Sequence, residues 1–166
     1  GSFGVPMRIT VVHSASASGF HLMSSDDEAG TTGPSWKKSF ANTRGYLLRL
    51  FGQKHAVSAA IQVAFEQNYG GIDGDSATST MIYAILSELS GVAIQQRFAV
   101  TGSADQFGRV QAIGGANEKA EGFFKVASNM VNKAYADGLN AVIIPAYNEN
   151  DLMLNEDVVQ AVREGK

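Results

Sequence analysis

A serine hydroxyl just beyond a glycine-rich turn, at the mouth of a helix, is placed for nucleophilic chemistry, and Ser76 is such a residue. It follows Gly70, Gly71 and Gly74 and precedes a helical pattern. A helix N-terminus presents unpaired N–H groups and the positive end of the helix dipole, which together stabilise an anion. The tetrahedral intermediate of acyl transfer is an oxyanion, so the position suits attack on a carbonyl. Gly71 and Gly74 leave room for a substrate backbone to come close. The same local pattern fits a purely structural role, in which Asp75 or Ser76 caps the helix. A serine nucleophile also needs a base. The three histidines, His13, His21 and His55, all lie in the first third of the chain, and nothing in their spacing directs one to Ser76. A lysine that burial has stripped of its proton is the other solution. Lys119 fits best: it stands one turn into a helical segment, after Ile113-Gly114-Gly115 and before Phe123-Phe124. Lys37, Lys38, Lys54, Lys125 and Lys133 read as surface cations.

The elements that must position these residues are legible from hydrophobic period and punctuation. Met7–His13 is β-branched and predicts a strand. Residues 14–35 are rich in Ser, Gly, Asp and Thr and predict a long loop with a short strand at 20–23 inside it; Asp26-Asp27-Glu28 reads as an exposed acidic stretch. Residues 37–52 predict an amphipathic helix stopped by Gly52. Residues 56–66 alternate, with Val57, Ala59, Ile61, Val63 and Phe65 on one face, the signature of a half-buried strand. A turn-rich stretch, Asn68 to Ser76, precedes a helix marked by Ile82, Ile85, Leu86 and Leu89 and ended by Gly91. Residues 94–101 and 109–113 predict two strands joined through Gly102–Gly108 as a hairpin. Gly114-Gly115 breaks the second, and a helix starts near Ala116. Residues 141–144 predict a short buried strand before Pro145, and 156–164 a final helix. The pattern is mixed rather than strictly alternating, which places the chain in the α+β class as one domain over residues 1–166.

Composition removes several function classes. The chain has 166 residues, 45% of them hydrophobic, and only 17% charged against roughly 25% in an average globular protein. Low charge argues against disorder and fits a surface partly covered by a partner. A net charge of −3 withdraws the electrostatic support for nucleic-acid binding or an anionic membrane surface. The absence of cysteine excludes a disulfide framework, a thiol nucleophile and thiolate metal sites, and suits a reducing, cytoplasmic setting. No apolar run reaches the ~18 residues that span a bilayer. No Gly-x-x-x-x-Gly-Lys-[Ser/Thr] phosphate loop, His-Glu-x-x-His motif or convincing carboxylate or histidine metal cluster occurs, so neither a nucleotide nor a metal is expected on this chain.

Two motifs carry a resemblance to a known family. Asp73-Gly74-Asp75-Ser76-Ala77 resembles the nucleophile motif of the Lon protease family, and Gly114-Gly115-Ala116-Asn117-Glu118-Lys119 resembles its lysine motif. The two stand in the family's order, 43 positions apart. Val100-Thr101-Gly102 to Gly108-Arg109-Val110 resembles the hairpin that joins them. The likeness runs from about Phe3 to the end and is greatest to the branch with a Gly-Asp-Ser motif, which Phe65-Glu66-Gln67 and Glu121-Gly122-Phe123-Phe124 also fit. The more familiar form has Pro in place of Asp75 and Gly in place of Thr78. A carboxylate beside the nucleophile opposes loss of its proton, so the Asp75 side chain is expected to turn away or to cap. Glu118 is expected to face solvent, since helix neighbours diverge.

The resemblance implies a serine peptidase of mixed sheets and packed helices. Ser76 would be the nucleophile, with its backbone N–H in the oxyanion hole and Gly74 and Asp75 in the supporting loop. Lys119 would be the general base and acid, oriented by the Thr101 hydroxyl. It further implies a homohexameric ring that cuts unfolded polypeptides delivered by an AAA+ module in cis or in trans. ATP is implied only for that module, which is absent from this chain. Related domains continue with a short apolar strand after a position like Lys166, which implies a truncated C-terminus. Two other readings compete: a non-catalytic assembly or partner-binding domain of the same fold, and a Ser-His hydrolase of small esters. An amine nitrogen within about 3 Å of Ser76 Oγ discriminates for the dyad.

Overall fold

The computed structural model describes residues 4–66, 72–129 and 141–165. The expected turn residues Asn68 to Gly71, the motif residue Gln67, Lys133, and the ends at Phe3 and Lys166 lie outside the described residues. The elements in order are β1 (Ile9–Ala15), β2 (His21–Ser24), α1 (Ser25–Glu28), α2 (Pro34–Phe51), β3 (Ala59–Phe65), α3 (Thr78–Ser90), β4 (Phe98–Val100), β5 (Ser103–Ala104), β6 (Val110–Gln111), α4 (Ala116–Asn129), β7 (Ala141–Ile143), a 3-10 helix (Ala146–Asp151) and α5 (Glu156–Glu164). This is the α+β arrangement expected.

The alternating strand becomes the centre of the main sheet. β3 lies between β1, antiparallel with Val11 opposite Val63, and β2, parallel with Leu22 opposite Ile61. Ile61 and Val63 point inward, where they join Trp36 and Leu47 of α2 and Met81 and Ile85 of α3 in one buried cluster. Trp36 holds the cluster together. Its ring meets Phe40 edge-on and Phe65 at a tilt, each at 5.0 Å, and its indole N–H donates to Ser24 Oγ at 3.3 Å. The buried stripe of α3 runs through Thr78, Met81, Ile82 and Ile85, while Leu89 lies at the surface. Gly91 ends α3 in the left-handed conformation that glycine adopts without strain.

Three expectations are corrected. Residues 14–35 are not one long loop: β1 runs on to Ala15 and Ser24 caps a helical turn, α1, while the short strand expected at 20–23 is present as β2 at 21–24. The acidic residues there belong to that turn rather than to a free stretch. Asp26 Oδ2 accepts from Phe65 N–H at 2.9 Å, and Asp27 pairs with Lys37 at 3.3 Å. The hairpin is also shifted. β4 does not pair with 109–113; it pairs in parallel with β7, and the hairpin is β5 with β6. The cause is Asp105, whose Oδ1 accepts from Phe107 and Arg109 N–H at 2.9 Å and pulls the turn tight after Gly102. Finally, β7 is less buried than expected, with Ile143 49% exposed.

α2 shows how a distant residue completes a helix. Its N-cap is Gly33, with Pro34 following, so neither residue supplies a side-chain acceptor for the free N–H groups. Asp73 supplies it from the chain ahead of Ser76: Oδ1 accepts from Ser35 N–H at 2.9 Å and Trp36 N–H at 3.3 Å. The Gly74 N–H, then burial in opposition, then the α2 N–H groups combine to hold the Asp73 carboxyl below its ordinary value. A carboxylate with a depressed pKa stabilises the fold above the ordinary carboxylate range and loses that contribution as pH falls through its folded value. Asp73→Ala is therefore expected to lower Tm at pH 7, with the deficit shrinking as the solution is acidified below about pH 4. Thermal melts of both chains from pH 7 to pH 3 check this, and a pH-independent deficit would contradict it.

Candidate functional site

Ser76 sits in the turn Asp75–Thr78 that enters α3. The helix begins at Thr78 with Ala77 as N-cap, so neither Asp75 nor Ser76 caps it with a side chain, against one of the expectations. The turn is closed by Thr78, whose N–H and hydroxyl both donate to the Asp75 carbonyl. The strand segment after β4 then clamps it. Gly102 N–H and Thr101 Oγ1 donate to the Ser76 carbonyl at 2.7 and 3.1 Å, and Ser79 N–H donates back to the Gly102 carbonyl at 3.0 Å. Thr80 Oγ1 adds a bond to the Val100 carbonyl at 2.7 Å. The Ser76 backbone is thus fixed on the acceptor side. Its N–H has no acceptor among the described residues. Gly74 adopts φ +110°, which favours glycine, with open space around it.

Lys119 arrives from the opposite side. Gly115, at φ +69°, turns the chain into α4, and buried Ala116 and Ala120 press the first turns of that helix inward. Lys119 Nζ lies 2.8 Å from Ser76 Oγ and 3.4 Å from Thr101 Oγ1. The side chain is half-buried, and loss of solvent pushes its ammonium below the usual lysine value; the negative charge of Asp75 works against that fall. Asp75 itself is turned from the nucleophile, as one expectation had it, and accepts from Ser103 Oγ at 2.7 Å. Glu118 is only half-exposed, and its carbonyl accepts from Gly4 N–H at 3.1 Å.

Both residues open into a cavity of about 810 Å³ with largely apolar walls, among them Trp36, Tyr83, Leu86, Phe98 and Phe123. An amine with a depressed pKa, bonded to a hydroxyl beside a free N–H at a helix mouth, is equipped to transfer an acyl group. Two of the three histidines are engaged elsewhere, and the third is at the surface. His13 Nδ1 bonds Glu88 at 2.9 Å, His21 Nε2 bonds Ser18 at 2.8 Å, and His55 is exposed on the turn after α2. The Ser-His geometry does not form.

The sequence profile of the Lon protease (S16) C-terminal proteolytic domain matches residues 52–165. The chain belongs to the Lon protease family. A putative Lon protease homolog of Escherichia coli K12 is 36% identical over 165 residues, 99% of this chain and 27% of that protein. A putative Lon protease homolog of Haemophilus influenzae is 41% identical over 104 residues, 63% of this chain and 17% of its own length. The archaeal Lon protease of Methanocaldococcus jannaschii is 43% identical over 98 residues, 59% of this chain and 13% of that protein. The chain therefore spans well under a third of each of these Lon relatives. Among the described residues, no helix is long and apolar enough to cross a membrane, and no three His, Asp or Glu gather as a metal site would need.

Sequence reasoning missed Asp73 as the cap of α2 and Ser103 as the partner of Asp75; that residues 3–12 help shape the pocket was expected, and Val5–Arg8 do line the cavity. Of the two missed, only Asp73 left a signal: a helix opening Gly33-Pro34 lacks its own acceptor and needs one from elsewhere.

Proposed function

We propose that this chain is a Lon-type serine endopeptidase domain in which Ser76 and Lys119 form the catalytic dyad. The observation that supports the reading most is the 2.8 Å separation of Lys119 Nζ and Ser76 Oγ at the head of an apolar cleft. Neutral Lys119 accepts the Ser76 proton as Oγ bonds to a peptide carbonyl carbon. The carbonyl π electrons move to oxygen, and the Ser76 N–H holds the oxyanion. Lys119 then gives its proton to the leaving amine as the C–N bond breaks. Water repeats the two steps on the acyl ester and frees the serine. Thr101 orients the ammonium and the Ser76 carbonyl together, Gly74 gives the turn its shape, and Asp75 tunes the lysine. The substrates are unfolded polypeptides, which alone can thread an extended segment into such a cleft. By likeness to its relatives, the domain works as a homohexamer in the cytoplasm, fed by an AAA+ module in cis or in trans that binds the ATP.

The pH profile tests the assignment. Hydrolysis needs neutral Lys119, so kcat/KM for a fluorogenic peptide is expected to rise with pH through a value below lysine's ordinary 10.5. Asp75→Asn removes the charge that favours the ammonium, and the rising limb is expected to move to lower pH. A limb that stays put or moves to higher pH in Asp75→Asn would count against Lys119 as the base.

A further inference from the structure

The chain enters the fold by crossing the helix that carries Lys119 at backbone contact. Gly4 N–H donates to the Glu118 carbonyl at 3.1 Å, one residue from the lysine. A Cβ on Gly4 would stand 2.6 Å from Lys119 Cα, and one on Gly122 would collide with the Gly4 carbonyl oxygen. Gly122 lies inside α4, where alanine is the better helix former, so the helix itself gives no reason for glycine there. The crossing does. Immediately after it, Val5, Pro6, Met7 and Arg8 line the same cavity as Ser76, Lys119 and Phe123, and the chain passes on into β1.

We infer that residues 4–8 are a strap, locked by the Gly4–Gly122 contact, that positions Lys119 against Ser76 and closes its side of the cleft to water. Gly4 and Gly122 are positioning residues in this account. Loosening the strap lets the Lys119 turn of α4 shift and admits solvent to the amine. Water restores the charged form that burial disfavours, and a displaced base transfers protons poorly. The charged group that acts on the amine is Asp75 on the nucleophile turn; Arg8 on the strap and Asp73 line the same cavity. Asp75 and Asp73 lie outside the strap and are not altered by a change at Gly4 or Gly122, whereas Arg8 moves with the strap. The inference rests on the dyad reading for its catalytic consequence but not for its structural one.

The test uses Gly122→Ala and Gly4→Ala in the 166-residue chain, with Lys125→Ala on the exposed side of α4 as control. Circular dichroism checks folding, NMR of lysine labelled at Cε follows the titration of Lys119, and a fluorogenic peptide gives kcat and KM. Both glycine variants are expected to move the Lys119 midpoint up toward 10.5. They are also expected to lower kcat by at least about tenfold, more than they change KM. Lys125→Ala is expected to change neither. Folded glycine variants whose Lys119 midpoint does not rise and whose kcat stays within about twofold of the parent would overturn the strap. Should Gly122→Ala fail to fold, Gly4→Ala decides alone, because Gly4 lies outside every helix and strand. Titration needs no turnover, so the two readings fail separately. A chain whose Ser76 takes no adduct from a peptidyl phosphonate but whose Lys119 midpoint rises in Gly122→Ala keeps the strap and loses the peptidase. A chain that cleaves through Ser76 with an unmoved midpoint keeps the peptidase and loses the strap.

Discussion

Ser76→Ala is expected to reduce cleavage of an unstructured casein-type substrate by on the order of 10³-fold or more, with the fold intact. The side chain is half-buried and its hydroxyl bonds Lys119, so removing one oxygen leaves no large void. The turn around it is held by backbone groups: the Ser76 carbonyl with Gly102 and Thr101, and the Asp75 carbonyl with Thr78. Those bonds survive the substitution. Lys119→Ala is expected to fall by a similar factor, since without an amine at 2.8 Å the hydroxyl has no base. The two losses should not add. Each variant disables the same proton transfer, so the double variant should match the worse single one. Quantified cleavage by the four chains at one pH checks this. Cleavage by Ser76→Ala at the parent's rate would remove the nucleophile, and a double variant far below both singles would mean that the residues act independently.

Trp36→Ala is expected to cost about 3–5 kcal/mol of stability, a fall in Tm on the order of 10 °C for a chain of this size. Trp36 is 1% exposed and stands where α2, β3 and the β2–α1 junction meet. Truncation leaves a cavity beneath Phe40 and Phe65 and leaves the buried Ser24 hydroxyl without its indole donor. Thermal unfolding followed by circular dichroism measures the effect. A Tm within a degree or two of the parent would mean that the cluster does not rest on this ring.

Where the sequence was informative, local physics explains why. The alternation at 56–66 marks a strand with one buried face, because side chains on a strand can do nothing but alternate. Ile61 and Val63 are buried on the central strand. The glycine stops at 91 and 115 mark real reversals, since few other residues tolerate those dihedrals. Ser76 and Lys119 stand out by type and by their apolar, glycine-lined settings. That their side chains meet was read from the family resemblance and not from those settings. What stayed hidden is long-range pairing. A β-branched run says that 94–101 is extended but not which strand it joins; β7, some forty positions on, wins over the nearer 109–113 because Asp105 draws the chain into a separate hairpin. Asp73 looks like part of a nucleophile motif and spends its carboxylate on another helix. Gly4 and Gly122 look like a terminus and a helix defect until the two backbones are seen to touch.

The most direct measurement on the dyad needs neither a motor nor turnover: treat the chain with an active-site-directed peptidyl phosphonate and map the adduct by mass spectrometry. A single adduct on Ser76, slow to form in Lys119→Ala and absent in Ser76→Ala, is the predicted result. An adduct on another residue, or equal labelling in all three chains, would contradict a serine activated by this lysine.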